Sequence, residues 1–508
     1  MIGLSNSLAN PMQRCARTDP TELLRDGRSP EVDVEHVKSF MKRVMKISGL
    51  RVWNCFLRCV PRAASRAALV AICFLVLFAV QACNHSNEPA PGTTLVLIDQ
   101  GWVDKDFQRR LNEALAEFTS RSGIQVQVLP APEGAVEQLA TWRKLLESGA
   151  TVPDVYGIDV IWPGILADNL VDLKAYIPEK EVAAYFPELI ANNTVNGRLV
   201  ALPSNLNEGL LYYRTDLLQE YKYRTAPRSW EELEAMAKRI QAGERAKGNK
   251  DFWGFVWQGA RSEALTCNAL EWQVSEGGGT ILDENGKVTV NNPRTIRAWS
   301  RAARWVGSIS PPGVVAYKEW DALNIWQAGD AAFMRNWPGA YIVAHAQTSP
   351  TKDRFDIAPL PKGSAGMAAT LGGTGYGVSR HSRHPREAAM LVHFLCGRDE
   401  QVRRSRNTAE VPSIPQLYDD PQVLAQNPQF RRVREVFREG VASRPSISAG
   451  KMYPDVSRAY FEAVHAVLSR KKTAAQAAAD LQSELQRMLK EGASDANVRS
   501  DQDTGSRR

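Results

Sequence analysis

Tryptophans and polar side chains recur together where the predicted strands of this chain end. Asp159 and the turn Trp162-Pro163-Gly164 follow one apolar run, Asn205, Asn207 and Glu208 precede another at 210–213, and Trp337-Pro338-Gly339 follows the apolar residues 331–334. An indole face stacks on the apolar face of a sugar ring, and carboxylates and amides pair with hydroxyls. That combination suits a concave binding site. In open α/β sheets such sites lie beyond the carboxyl ends of the strands. A tryptophan has a competing destiny in the core. The core is the expectation for Trp253, Trp299 and Trp305, and the site for Trp162 and Trp337, which Pro-Gly turns flank.

Other chemistries lack their residues. The stretch GERAKG at 243–248 has the glycine spacing of a phosphate loop, but Asn249-Lys250 follows where Lys-Ser/Thr is required. GGTGYG at 372–377 lacks the dinucleotide spacing. His381 and His384 sit among Arg380 and Arg383 and read as cationic surface rather than metal ligands. No nucleophile-elbow pattern occurs, so no catalytic residue, metal or cofactor is expected. Carboxylates are numerous, and a glycosidase pair stays open as an alternative.

The compartment is written near the start. Residues 41–68 hold seven Lys or Arg and no acid, residues 69–80 are continuously apolar, and Ala82 precedes Cys83. Twelve apolar residues are short of the ~20 that cross a bilayer but suit a secretory leader. The junction resembles a lipobox, with Cys83 as the lipidated residue and Gln81 unusual inside it. An ordinary cleavage near Ala82 or an uncleaved anchor are the alternatives. Residues 1–40 are mixed in charge and read as an extension upstream of the true start, with Met41 or Met45 as initiator. The formal +7 charge misleads, because residues after 82 retain 51 of the 63 basic and 50 of the 56 acidic side chains. No nucleic-acid footprint remains. Cys267 and Cys396 follow the leader, and either one disulfide or two buried thiols fits their spacing.

The elements that must position the site follow from periodicity. Residues 94–98 and 155–161 read as strands, and 124–128 alternate as a half-buried strand. Phe107, Leu111, Leu115 and Phe118 share one helical face within 104–122, and a second helix covers 135–146. This βαβαβ order implies a mostly parallel sheet covered by helices. Further on, Ser229 caps a helix through 240, 252–257 is an aromatic-rich strand, and helices open at Pro293 and Pro385. Residues 454–489 are helical and Ala-rich, and 491–508 are expected to be disordered.

Several separated motifs then agree in order. GIDVIWPG (157–164), ALP (201–203), EGLLYYRTDLL (208–218), FWGFVWQG (252–259), FMRNWPG (333–339) and ATLGG (369–373) resemble the sugar-binding lipoproteins of ABC importers, closest to the trehalose/maltose branch. The resemblance covers about 93–490. It implies a two-lobe α/β periplasmic-binding-protein fold (type II) with a hinge, three chain crossings and a central cleft. The implied lobes are 93–205 plus 373–412 and 206–372 plus 413–490, after a leader at 41–82 and a tether at 83–92. The implied ligand contacts are Gln100, Asp159, Trp162, Asn205, Asn207, Glu208, Trp337, Gly372, Gly373 and Glu410. The implied partners are a di- or oligosaccharide, ABC permease subunits and a lipid on Cys83, at the periplasmic or extracellular face of the cell membrane. The chain departs from the branch at Asn205, where an aromatic is common, at Thr374, where tryptophan usually follows Leu-Gly-Gly, and in TAEVPSIP (408–415), which lacks an arginine. These departures point to a smaller, more polar or differently linked glycan. A polyamine, iron or a peptide is the alternative ligand class; clustered Trp, Asp and Asn without Tyr/His sets argue against iron.

Overall fold

The computed structural model describes residues 92–505 apart from 104, 133 and 409, and only the backbone at 102, 103, 407 and 493–505. The expectations about residues 1–91, Cys83 among them, lie outside the described residues.

Alternation and helical periodicity build the first lobe. β1 (Thr94–Ile98), β2 (Gln125–Leu129) and β3 (Val155–Asp159) run parallel, with Leu97 opposite both Val128 and Val155. Between them cross the helices Lys105–Ser122 and Ala135–Glu147. The first buries Leu111, Ala114, Leu115 and Phe118; each of its large apolar side chains contributes about 1.5–3 kcal/mol on leaving water. β3 stops at Asp159, two residues short of expectation. The Asp159 side chain accepts from the Ile161 amide at 3.1 Å, and its carbonyl accepts from the Trp162 amide at 2.8 Å, which turns the chain. β4 (Leu202–Pro203) belongs to the same sheet.

The chain continues through β5 (Asn207–Glu208), β6 (Leu210–Arg214), β7 (Trp253–Val256), β8 (Ala331–Asn336) and β9 (Phe355–Ala358). β10 (Ala369–Gly372), β11 (Thr374–Val378) and β12 (Val441–Ala442) follow. The first sheet has the order β2-β1-β3-β11-β4, in which only β11 runs against its neighbours. The second has the order β9-β6-β8-β7 and is mixed, with β7 parallel to β8 and β6 antiparallel to both β8 and β9. A third sheet, β12-β10-β5, gathers three distant pieces of chain. Two α/β lobes thus meet at a small sheet of crossing strands.

The second lobe absorbs most of the tryptophans. Ser229 accepts from the Glu232 amide at 3.2 Å and starts the helix Trp230–Ala246, longer than expected because its buried face runs on to Gln241. Trp305 packs against both Trp230 and Trp272, at 5.5 and 5.8 Å between ring centres. Trp299 and Trp305 are core residues, while Trp253 is half-buried beneath the Arg245 guanidinium at 4.4 Å. Cys267 and Cys396 are both buried free thiols, and burial pushes each up to about 12.

The C-terminal region departs from expectation twice. It is two helices, Tyr453–Leu468 and Ala474–Gly505, separated where Arg470 takes a positive φ of 58°. The second continues to Gly505, where disorder was expected. The buried Leu481 and Leu485 anchor this helix, and once a turn has formed each further residue adds a hydrogen bond without a new nucleation cost.

Candidate functional site

The third sheet brings the candidate residues to one place. β10 pairs with β5 so that Gly372 lies opposite Asn207 and Leu371 opposite Glu208. A Cβ on Gly372 would lie 3.2 Å from both the Asn207 Cβ and the Trp337 ring, so the missing side chain is what lets these groups converge. Gly373 has a φ of 123°, and a Cβ there would lie 2.6 Å from the Asn205 carbonyl. Both the angle and the clearance require glycine.

Trp337 sits on a prepared support. Its ring lies over the Arg335 guanidinium, 4.0 Å from the ring centre. Arg335 is 1% exposed and forks onto the fully buried Glu271, with Nε 3.0 Å and Nη2 2.5 Å from the two carboxylate oxygens. The Thr370 amide donates to the same carboxylate at 3.1 Å, and Tyr212 donates to the Trp337 carbonyl at 2.7 Å. The ring is half-buried and belongs to neither apolar core.

The first lobe supplies polar groups at its strand ends. Asp159 pairs in register with Thr374, and the Val160 amide donates to the Gly373 carbonyl at 3.1 Å. Burial raises the Asp159 carboxyl above the usual range, and the nearby Arg444 charge opposes that rise. Asn205 receives the Thr374 amide at 2.8 Å and donates to Glu410 at 2.9 Å. Glu410 is also held by Arg404 at 3.0 Å. Gln100 follows β1, and its amide nitrogen is buried without a hydrogen-bond partner. The segment 372–374 therefore links them: Asn207 and Trp337 lie at Gly372, Asn205 at Gly373 and Thr374, and Asp159 opposite Thr374, with Glu410 bonded to Asn205.

Two expected contacts are corrected. Trp162 is 1% exposed and packs edge-on against Trp142 at 6.0 Å, so it is a core ring beneath the site rather than a stacking surface. The helix that it precedes, Pro163–Leu166, is seated against Ser446, whose carbonyl would lie 2.1 Å from a Cβ on Gly164. Glu208 is fully buried, and neither carboxylate oxygen has a hydrogen-bond partner. Successive side chains of a strand point to opposite faces. Asn207 faces Gly372 and Trp337, so Glu208 faces the interior, near Tyr212 and Tyr418.

One guanidinium escaped the sequence reading. Arg444 donates to Glu263 at 2.8 Å and to the Leu371 carbonyl at 3.0 Å, and its charge acts on Asp159. It comes from a segment after β12 with no motif to flag it. It provides an arginine near the crossing that the 408–415 segment does not.

Burial holds the Glu208 carboxyl well above its ordinary value, which favours the neutral form in the fold. Ionisation of the unfolded chain then draws the equilibrium toward unfolding as pH rises above the ordinary glutamate pKa of about 4.3. Glu208→Met is expected to raise stability at pH 8 by about 1–3 kcal/mol, the cost of an unsatisfied buried polar group. The gain should shrink toward pH 4.5. Thermal melts at both pH values check this; a wild type at least as stable as the variant at pH 8 would show that the carboxyl is satisfied.

The sequence matches the model of the bacterial extracellular solute-binding proteins over residues 104–402. It is 43% identical over 376 residues to an ABC transporter-binding protein of Deinococcus radiodurans, covering 74% of this chain and 89% of that one. A galactooligosaccharide-binding protein of Bacillus subtilis is 23% identical, over 72% of this chain and 84% of its own. Among solved structures, maltose-bound MalE3 of T. maritima superposes with a TM-score of 0.69 at 36% identity, over 78% of this chain and all of that one. A solute-binding protein of Thermotoga lettingae bound with α-D-tagatose shares the fold at a TM-score of 0.67 and 20% identity, over 79% of this chain and all of its own.

Proposed function

Because the chain belongs to the bacterial extracellular solute-binding proteins, we propose that it captures a carbohydrate between its lobes and hands it to an ABC permease in the cell membrane. The observation that carries this reading is the Trp337 ring, held on the Arg335 guanidinium and edged by Gly372 and Asn207, with Asp159 at the end of β3 opposite Thr374. The indole offers a stacking surface, and the amides and carboxylate offer partners for hydroxyls. The 36% identical structure was solved with maltose, which supports a sugar ligand. In this reading the protein binds and releases its ligand without chemistry, and another chain hydrolyses ATP. The lobes are 93–205 plus 373–412 and 206–372 plus 413–490, and β5, β10 and β12 form the hinge.

A thermal-shift screen of the chain from residue 84 onward against mono-, di- and oligosaccharides tests this. A sugar at 100 times its dissociation constant should add about 2.7 kcal/mol of stability, and scattering should show a smaller radius of gyration at saturation. No shift with any sugar, together with a shift from a polyamine or peptide, would overturn the carbohydrate reading.

The leader before residue 83 and Ala82 support a lipid on Cys83. Mass spectrometry of the protein from membranes is expected to find the acylated cysteine at the mature terminus. An unmodified Cys83, terminal or internal, would rule the anchor out.

A further inference from the structure

One tryptophan stands out in water. Trp320 is 64% exposed, whereas indoles such as Trp230, Trp272 and Trp305 are at most 1% exposed. It lies in the first turn of the helix Glu319–Gln327, whose buried face is Ala322, Leu323 and Trp326. At about 100° per residue, Trp320 falls on one flank of that face, the flank it shares with Gln327. Two hydrogen bonds show what this helix meets. Asn336, immediately before Trp337, donates to the Glu319 carbonyl at 3.2 Å, and Gln327 donates to the Val343 carbonyl at 3.2 Å. The start of the helix is thus tied to the turn that carries Trp337, and its end to the end of the helix Gly339–Ala344. The first turn, which carries Trp320, is thereby held beside the turn Trp337-Pro338-Gly339. A Cβ built on Gly339 meets nothing within 4 Å, so the ground at this end of the turn is open.

We propose that Trp320 is a second stacking platform, an outer subsite for a further pyranose ring of an oligosaccharide whose first ring lies on Trp337. The inference rests on the carbohydrate reading above. Glycine at 339 leaves room for the linkage between the two rings, and an exposed indole gains apolar contact when a ring covers it. Trp337, on its guanidinium support, sets the inner position, and Trp320 sets how long a glycan is preferred.

The test is calorimetry on the purified chain with glucose, maltose, maltotriose and maltotetraose, and with the β-linked galactose series in parallel. Wild-type affinity should rise with chain length. Trp320→Ala should remove that rise, weakening the tri- and tetrasaccharide about 10-fold while leaving the shortest binder unchanged. Trp320→Phe should restore most of the loss. Trp320 emission, read as the difference between wild type and Trp320→Phe, should shift to the blue only with the longer sugars. Failure of the wild type to bind either series would remove the carbohydrate reading and this subsite with it. Sugar binding in which Trp320→Ala matches the wild type at every length would overturn the subsite alone.

Discussion

Replacing Glu271 by alanine is expected to cost the fold about 3–5 kcal/mol, the typical loss when a buried ion pair is broken on one side. Arg335 is 1% exposed, and its fork onto Glu271 is its charge compensation among the described side chains. The Gln258 side chain, 3.4 Å from Nη1, is neutral and cannot substitute. Truncation also strips the Thr370 amide of its acceptor in β10, a strand of the crossing sheet. The melting temperature should therefore fall by several degrees. The double replacement Glu271→Leu with Arg335→Met should recover most of that loss, because removing both charges also removes their desolvation cost. The double variant should still bind sugar more weakly, since Trp337 loses the guanidinium beneath its ring. A single variant that melts with the wild type would mean that the pair is not the anchor of this region.

Trp337→Ala is expected to weaken sugar binding roughly 30- to 150-fold. A ring that loses on the order of 100 Å² of apolar contact gives up about 2–3 kcal/mol, and each 1.4 kcal/mol is tenfold. The fold should hardly notice. A buried tryptophan replaced by alanine costs about 3–5 kcal/mol of stability, but Trp337 is half-buried, edged by a glycine, and outside both apolar cores. Calorimetric affinity and melting temperature for the same variant decide between the two roles. Normal binding with a steep drop in melting temperature would make Trp337 a core residue and remove the stacking role.

The elements near the site were legible because their causes are local. The alternation at 124–128 and the face of Phe107, Leu111, Leu115 and Phe118 each report one buried side, and the structure gives a strand and a helix there. Ser229 and Asn292 sit at helix starts because their short polar side chains reach the free amides of the first turn, and both make those bonds. The turn at Trp337 was legible from Pro-Gly at the end of an apolar run, and its ring is half-buried and outside both apolar cores. Trp162 has the same signature, Trp-Pro-Gly after a strand, and is buried against Trp142. The motif specifies the turn, while the neighbours that cover the ring come from elsewhere in the chain.

By itself the sequence determined the strand and helix order of the first lobe, the family, and the core assignment of Trp299 and Trp305. Each is encoded by periodicity, by caps or by a contiguous motif. Only the tertiary structure decided which of two adjacent polar residues faces Trp337. Pairing of β5 with β10 turns Asn207 toward Gly372 and Trp337 and leaves Glu208 in the interior, and a one-residue shift in that register would exchange them. It also decided that Arg444, from a segment without a motif, stands beside Asp159, and that Glu271 underpins Trp337 through Arg335. Those relations join residues far apart along the chain, and their energies exist only once three separate crossings have been brought into one sheet.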